Sequence, residues 1–159
     1  MGQNGDKPRL LRGTMFLGEF AHSIDNKGRL AIPAKFRARL GEGAVVTRGL
    51  DGCLVIYPAA EWQTFAEKLD KLPSIQLDVR NYKRFIFSGA TECDFDRQGR
   101  VLIPAFLREY AALEDTAVVV GQFSKVEIWG QARWDAARPK VEDDGEQIAA
   151  RLSGLGLDI

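Results

Sequence analysis

Asp25-Asn26-Lys27-Gly28-Arg29-Leu30-Ala31-Ile32-Pro33-Ala34 and Asp96-Arg97-Gln98-Gly99-Arg100-Val101-Leu102-Ile103-Pro104-Ala105 are one decapeptide written twice, 71 residues apart (25 to 96). The echo continues beyond it. Arg37 matches Arg108 at the same offset, and Tyr57 and Trp62 match Trp129 and Trp134 at 72, one residue having entered the loop between. A repeat this short is one supersecondary unit, too small to bury a core of its own. Two copies can share a core by interleaving their hairpins into one closed barrel, which would also remove exposed strand edges. The fold class expected is therefore α+β, mainly β, with two interleaved β-hairpin repeats and short peripheral helices.

Each copy reads the same way. A strand (Phe16 to Ile24; Ala90 to Phe95) leads into a tight Asp-x-x-Gly-Arg turn, and a second strand follows (Arg29 to Ile32; Arg100 to Ile103). Pro33 and Pro104 then open short helices, at the one helical position where a missing N–H costs nothing. Gly41 stops the first helix. Strand-like runs follow at Ala44 to Arg48 and Cys53 to Tyr57, and again at Ala117 to Val120 and Val126 to Trp129. Between the copies, Trp62, Phe65, Leu69 and Leu72 recur at helical spacing up to Pro73. Ser74 is placed to cap a second helix carrying Leu77, Tyr82, Phe85 and Ile86. The chain divides into an N-terminal extension (1–15), expected to be flexible, a first repeat (16–61), a helical insert (62–89), a second repeat (90–134) and an acidic tail (135–159). In the tail, Ile148, Leu152 and Leu155 offer at most a weak helix.

With 159 residues, 45% of them hydrophobic and 28% charged, the composition is that of a soluble globular protein. No apolar run approaches a membrane span and no signal peptide opens the chain. Cys53 and Cys93 lack metal-ligand spacing and read as reduced core thiols of a cytosolic protein. No cofactor is implied. The formal net charge of zero conceals an uneven distribution. Lys27, Arg29, Lys35, Arg37, Arg39 and Arg48 gather around the first motif. Arg80, Lys83, Arg84, Arg97, Arg100 and Arg108 gather around the second, and acid collects in the tail. Two locally basic repeats are the electrostatic footprint of a nucleic-acid binder.

Within the motif the residue types separate by role. Gly28 and Gly99 suit a left-handed turn position, and Asp25 and Asp96 can accept hydrogen bonds from the turn amides or pair with Arg29 and Arg100. The turn itself needs no guanidinium, yet both copies keep one, flanked by Lys27 and Arg97. Arginine can fork onto guanine O6 and N7 or onto a phosphate, and a two-stranded ribbon fits the DNA major groove. The candidate DNA-binding residues are Asp25, Asn26, Lys27, Gly28 and Arg29 with Asp96, Arg97, Gln98, Gly99 and Arg100. This reading requires the guanidinium tips to face a groove rather than fold back as braces for their own hairpins.

The chain resembles the MraZ family of bacterial transcriptional regulators, tandem-repeat members of the SpoVT/AbrB swapped-hairpin barrel superfamily. The resemblance covers Phe16 to Trp134. It rests on Phe16-Leu17-Gly18, Ile24-Asp25-Asn26-Lys27-Gly28-Arg29, Ile32-Pro33-Ala34-Lys35-Phe36-Arg37, Leu54-Val55-Ile56-Tyr57-Pro58, Glu61-Trp62, Asp96-Arg97-Gln98-Gly99-Arg100, Val120-Gly121-Gln122-Phe123 and Glu127-Ile128-Trp129. It implies an AbrB-like barrel and a cytoplasmic, nucleoid-associated repressor of the division and cell-wall gene cluster that includes its own gene. It also implies a homo-oligomeric ring presenting the two turns to short direct repeats in double-stranded promoter DNA; from the sequence itself no membrane partner is expected and no small-molecule ligand is evident. The chain departs from the pattern in its leader and in carrying Arg97 where the first copy has Asn26, so unequal turns are expected.

Two rival classes are weaker. For an enzyme, His22 is the sole histidine and sits in a strand with no Cys or Ser setting that suggests a triad, Asp94 and Asp96 read as a solvated rim, and no phosphate-binding glycine loop is present. A non-enzymatic oligomeric scaffold or adaptor without DNA binding would use Tyr57, Trp62, Trp129 and Trp134 at an interface. Aromatics at matched positions fill an internal hole twice in the competing reading.

Overall fold

The computed structural model describes residues 15–156. The first repeat supplies β1 (Glu19–Ser23), β2 (Arg29–Ala31), α1 (Ala34–Leu40), β3 (Val45–Arg48) and β4 (Leu54–Tyr57). Helices α2 (Ala59–Asp70) and α3 (Leu77–Phe87) follow. The second repeat gives β5 (Thr91–Glu92), β6 (Arg100–Leu102), α4 (Ala105–Ala111), β7 (Thr116–Gly121) and β8 (Val126–Gly130). Helices α5 (Gln131–Asp143) and α6 (Gly145–Arg151) come last. The extension of residues 1–14 lies outside the described residues.

The strands are exchanged between repeats. One antiparallel sheet runs in the order β1-β7-β8-β4-β3-β5, so β1 lies on a strand of the second repeat and β5 on one of the first. At its centre β4 pairs with β8, with Val55 opposite Glu127, Leu54 opposite Ile128 and Ile56 opposite Val126. Val55 and Glu127 are themselves 72 residues apart, each the other's repeat equivalent. In the separate ribbon of β2 and β6, Leu30 faces Val101, its own equivalent at 71. A pseudo-twofold axis therefore passes through both pairs and relates the two halves.

The sheets do not close into a barrel. Beyond the main ladders, the β2–β6 ribbon is tied to the preceding chain by the single bridges Ile24–Leu30 and Phe95–Val101. The Asp25 and Asp96 turns reverse the chain after one bridge. Pro33 and Pro104, lacking an N–H, cannot extend the ribbon on the far side. β1 and β5 consequently remain the outer strands of the six-stranded sheet.

One face of the sheet, with the ribbon, encloses the main core. Ile32 and Ile103, Phe36 and Leu107, Leu54 and Val126, and Ile56 and Ile128 are buried there as equivalent pairs. Burial of each such side chain contributes roughly 1.5–3 kcal/mol relative to exposure. On the opposite face Trp129 and Trp134 pack with Val118, Val120 and Cys53 beside Ala137 of α5. In the first half, Tyr57, Trp62, Phe65 and Phe87 stack at the matching place. Trp129 and Trp134 are buried, whereas Tyr57, Trp62 and Phe65 are half-buried and Phe87 is exposed, so the matched aromatics fill an internal place in the second half alone. Cys53 and Cys93 are free and buried, and burial pushes both thiols up to about 12.

Two local details differ from expectation. Helix α3 starts at Leu77, and Ser74 instead accepts a hydrogen bond from Lys83 Nζ at 2.9 Å. Lys83 also holds the carbonyls of Asp70 and Leu72, satisfying acceptors at the end of α2. The tail is helical as far as Arg151, more ordered than its weak apolar spacing implied. Among the described residues no helix is long and apolar enough to cross a membrane.

Candidate nucleic-acid interface

An aspartate, a glycine and an arginine build each turn, and the two copies agree closely. In the first, Asp25 Oδ1 accepts the amides of Lys27 (3.0 Å) and Arg29 (2.9 Å), while Oδ2 accepts Arg29 Nε at 2.6 Å. The Gly28 amide donates to the Asp25 carbonyl at 3.0 Å, closing the backbone turn. In the second, Asp96 Oδ1 accepts the amides of Gln98 and Arg100 at 2.9 Å each, and Oδ2 accepts Arg100 Nε at 2.9 Å. The Gly99 amide donates to the Asp96 carbonyl at 3.0 Å. Gly28 and Gly99 have φ of +89° and +77°, in the region that side-chain-bearing residues avoid.

The hydrogen bond from the Arg29 amide, opposed by desolvation but helped by the Arg29 guanidinium and the Lys27 amide, holds the Asp25 carboxyl down at about 2. Asp96 is lowered by the equivalent bonds from Arg100 and Gln98. Both carboxylates are charged at any physiological pH.

The ribbon sets the turns side by side. Arg29 faces Leu102 and Arg100 faces Ala31 across β2 and β6. The Ile103 amide donates to the Gly28 carbonyl at 2.9 Å, and the Ile32 amide to the Gly99 carbonyl at 3.2 Å. A cross-link then breaks the symmetry: Arg100 NH1 reaches Asp25 Oδ2 at 3.4 Å, so that one carboxylate oxygen holds both turn arginines.

The guanidiniums of Arg29 and Arg100 thus brace their own turns through Nε. Yet their side chains remain 35% and 26% exposed, and neither is sequestered. Asn26, Lys27, Arg97 and Gln98 are exposed around them.

The sequence reading missed a second pair. Arg37 of α1 and Arg108 of α4 each fold back through Nε onto the carbonyls of Ile32 (3.1 Å) and Ile103 (2.9 Å). From there each lies over the glycine of the other repeat's turn. A Cβ added at Gly28 would meet Arg108 Nε at 2.6 Å, and one at Gly99 would fall still closer to Arg37. Both glycines are buried beneath these guanidiniums. The signal was present in the match of Arg37 to Arg108, but spacing alone could not show that they cross.

Several other cations of the basic repeats are engaged elsewhere. Arg39 donates to the Met15 carbonyl at 2.8 Å. Lys35 sits 4.5 Å from the Phe20 ring centroid. Arg48 donates to the Phe85 carbonyl at 2.8 Å within a cage of Phe85, Phe106 and Tyr110. The positive end of the molecule narrows to Lys27, Arg29, Arg37, Arg97, Arg100 and Arg108 against Asp25 and Asp96, a surface suited to a polyanion. Among the described residues no group of three or more His, Cys, Asp or Glu could hold a metal ion.

Comparison with known proteins agrees with the doubled architecture. The model of the MraZ protein family matches twice, at residues 15–85 and 86–155. A protein of Desulfitobacterium hafniense named transcriptional regulator MraZ is 52% identical over 143 residues, covering 90% of this chain and all of the relative. Relatives of the same name from Halothermothrix orenii and Pediococcus pentosaceus are 48% and 50% identical over the same shares of each chain. On two repeat matches and half-identical relatives spanning nine-tenths of its length, this chain belongs to the MraZ family.

Proposed function

We propose that the chain is a sequence-specific, DNA-binding transcriptional regulator without catalytic activity. Its reading elements are the two Asp-x-x-Gly-Arg turns, Asp25 to Arg29 and Asp96 to Arg100. One observation carries the reading: two identically built turns share one ribbon, with both arginines part-exposed among exposed Asn26, Lys27, Arg97 and Gln98. A two-stranded ribbon enters the major groove, and arginine reads guanine or clamps phosphate there. The names of the relatives support the regulatory role.

The finer reading follows the resemblance. The protein acts in the cytoplasm, at the nucleoid, as a repressor of the division and cell-wall gene cluster containing its own gene. Copies assemble as a ring, and each repeat unit (16–61 and 90–134) presents one turn. A single footprint is small, so tandem direct repeats bind tightly through linked contacts where one repeat binds weakly.

A gel-shift titration against the DNA just upstream of the protein's own gene tests this, with tandem sites deleted one at a time. Affinity should fall stepwise with each deletion and steeply with salt, because several Lys and Arg contacts release counterions. A promoter fragment that is never retarded at low salt would leave the scaffold reading standing instead.

A further inference from the structure

We propose that Arg37 and Arg108 are positioning residues that act in trans, making the two turns one composite reading head. Arg108, carried by the second repeat, sets the turn that holds Arg29. Arg37, carried by the first, sets the turn that holds Arg100. The inference rests on the DNA-binding reading of those turns.

The Ile103 peptide is the junction of one crossing. Its amide donates to the Gly28 carbonyl at 2.9 Å and its carbonyl accepts Arg108 Nε at 2.9 Å. The guanidinium so fixed lies on Gly28, where it fills the space a Cβ would occupy. Gly28 lies between Lys27 and Arg29, so its peptide planes set where the Arg29 side chain leaves the ribbon. The Ile32 peptide, Arg37 and Gly99 repeat this arrangement on the other side of the pseudo-twofold axis. A planar guanidinium can lie flat on a glycine while its Nε donates in plane; an ammonium cannot do both. The glycine therefore has two tasks: it accepts the positive φ, and it leaves room for a cation from the other repeat.

Crossing gives each arginine a signature. Amide and arginine Nε resonances of the full-length protein without DNA are the first readout, with Arg108→Ala, Arg108→Lys, Arg37→Ala and Arg37→Lys. Both changes at Arg108 should shift Gly28 and Arg29 more than Gly99 and Arg100, and both changes at Arg37 should do the reverse. Promoter affinity is the second readout, in double-mutant cycles. Arg108→Ala should weaken binding about tenfold on its own and add little to Arg29→Ala, whereas Arg37→Ala should couple to Arg100→Ala instead. Arg108→Lys should fail to restore affinity although it keeps the charge.

Shifts confined to the mutated repeat, cis rather than trans coupling, or rescue by lysine would each overturn the proposal. Wild-type protein that retards no promoter DNA would overturn the reading on which it rests, while the resonance pattern would still report whether the crossing exists. Retained thermal unfolding cooperativity separates both outcomes from a variant that fails to fold.

Discussion

The Asp25 carboxylate reaches across the ribbon to Arg100, 3.4 Å from its NH1, while holding Arg29 at 2.6 Å through the same oxygen. Asp96 bonds to its own Arg100 at 2.9 Å. The two turns share their Asp, Gly and Arg yet differ in this contact, so the two aspartates should differ in consequence. Asp25→Asn keeps an oxygen for the turn amides but removes the charge shared by two guanidiniums. Arginine Nε resonances should move at both Arg29 and Arg100 in Asp25→Asn and at Arg100 in Asp96→Asn. Promoter affinity should fall further in the first variant. Equal effects from the two substitutions would show that the cross-link carries no weight.

Arg29→Ala should abolish specific promoter retardation while leaving the size-exclusion elution volume unchanged, and Arg100→Ala should weaken retardation in part or in full. Loss of one good guanidinium–base contact is worth about 1–3 kcal/mol at each site occupied. Both variants binding like wild type would remove the turns from the interface.

The Asp25 carboxyl should titrate near 2 by NMR, against 3.8 for the same group in an unfolded chain. A carboxyl lowered by folding stabilises the fold above its unfolded value, and that contribution disappears as pH falls through the folded value. The turn should therefore weaken between about pH 4 and pH 2 and be indifferent to pH between 5 and 8. Asp25→Asn should flatten that acid limb of a stability profile.

Gly28→Ala and Gly99→Ala should each destabilise by about 1–2 kcal/mol from the left-handed backbone alone, with further loss from the displaced guanidinium. Gly156→Ala is the control: it too lies in the left-handed region, with φ +87° and ψ 11°, but nothing lies within 4 Å of the added methyl. Thermal melts should rank Gly156→Ala as the mildest of the three.

The second repeat ends α4 with Ala112 in the left-handed region, φ +53°, at the place where Gly41 ends α1. Ala112→Gly should raise the melting temperature, by up to about 1 kcal/mol of stability. A lower melting temperature would mean that the Ala112 methyl contributes packing that outweighs its backbone strain.

The sequence was most legible where a residue type has one physical use. Asp, Gly and Pro at fixed spacing announced the turns and the helices after them, and matched aromatics announced equivalent clusters, one buried and one half-buried. The sharing of one core was legible too, because neither copy could bury enough alone. Closure was not. Whether β2 joins β1 in a ladder or leaves after one bridge depends on how sharply the Asp25 turn bends the chain, which periodicity does not encode. The roles of the basic residues were equally hidden. Arg29 and Arg48 look alike in a sequence, and only geometry puts one beside a part-exposed turn and the other inside an aromatic cage. Arg37 and Arg108 were visible as a matched pair, but their targets lie some sixty to eighty residues away in the chain (37 to 99; 108 to 28).

Strand exchange also dictates when the protein can become itself during synthesis. β1 finds its ladder partner only in β7, with Glu19 opposite Val120, and β4 finds its second neighbour only in β8. The opening half must leave the ribosome and wait, edges unmet, until residues near 130 have followed it out. Such distant pairings make folding slow, on the order of milliseconds to seconds. Truncated translation products will therefore be ready prey for proteases, and folded protein will accrue only from messages read almost to their end.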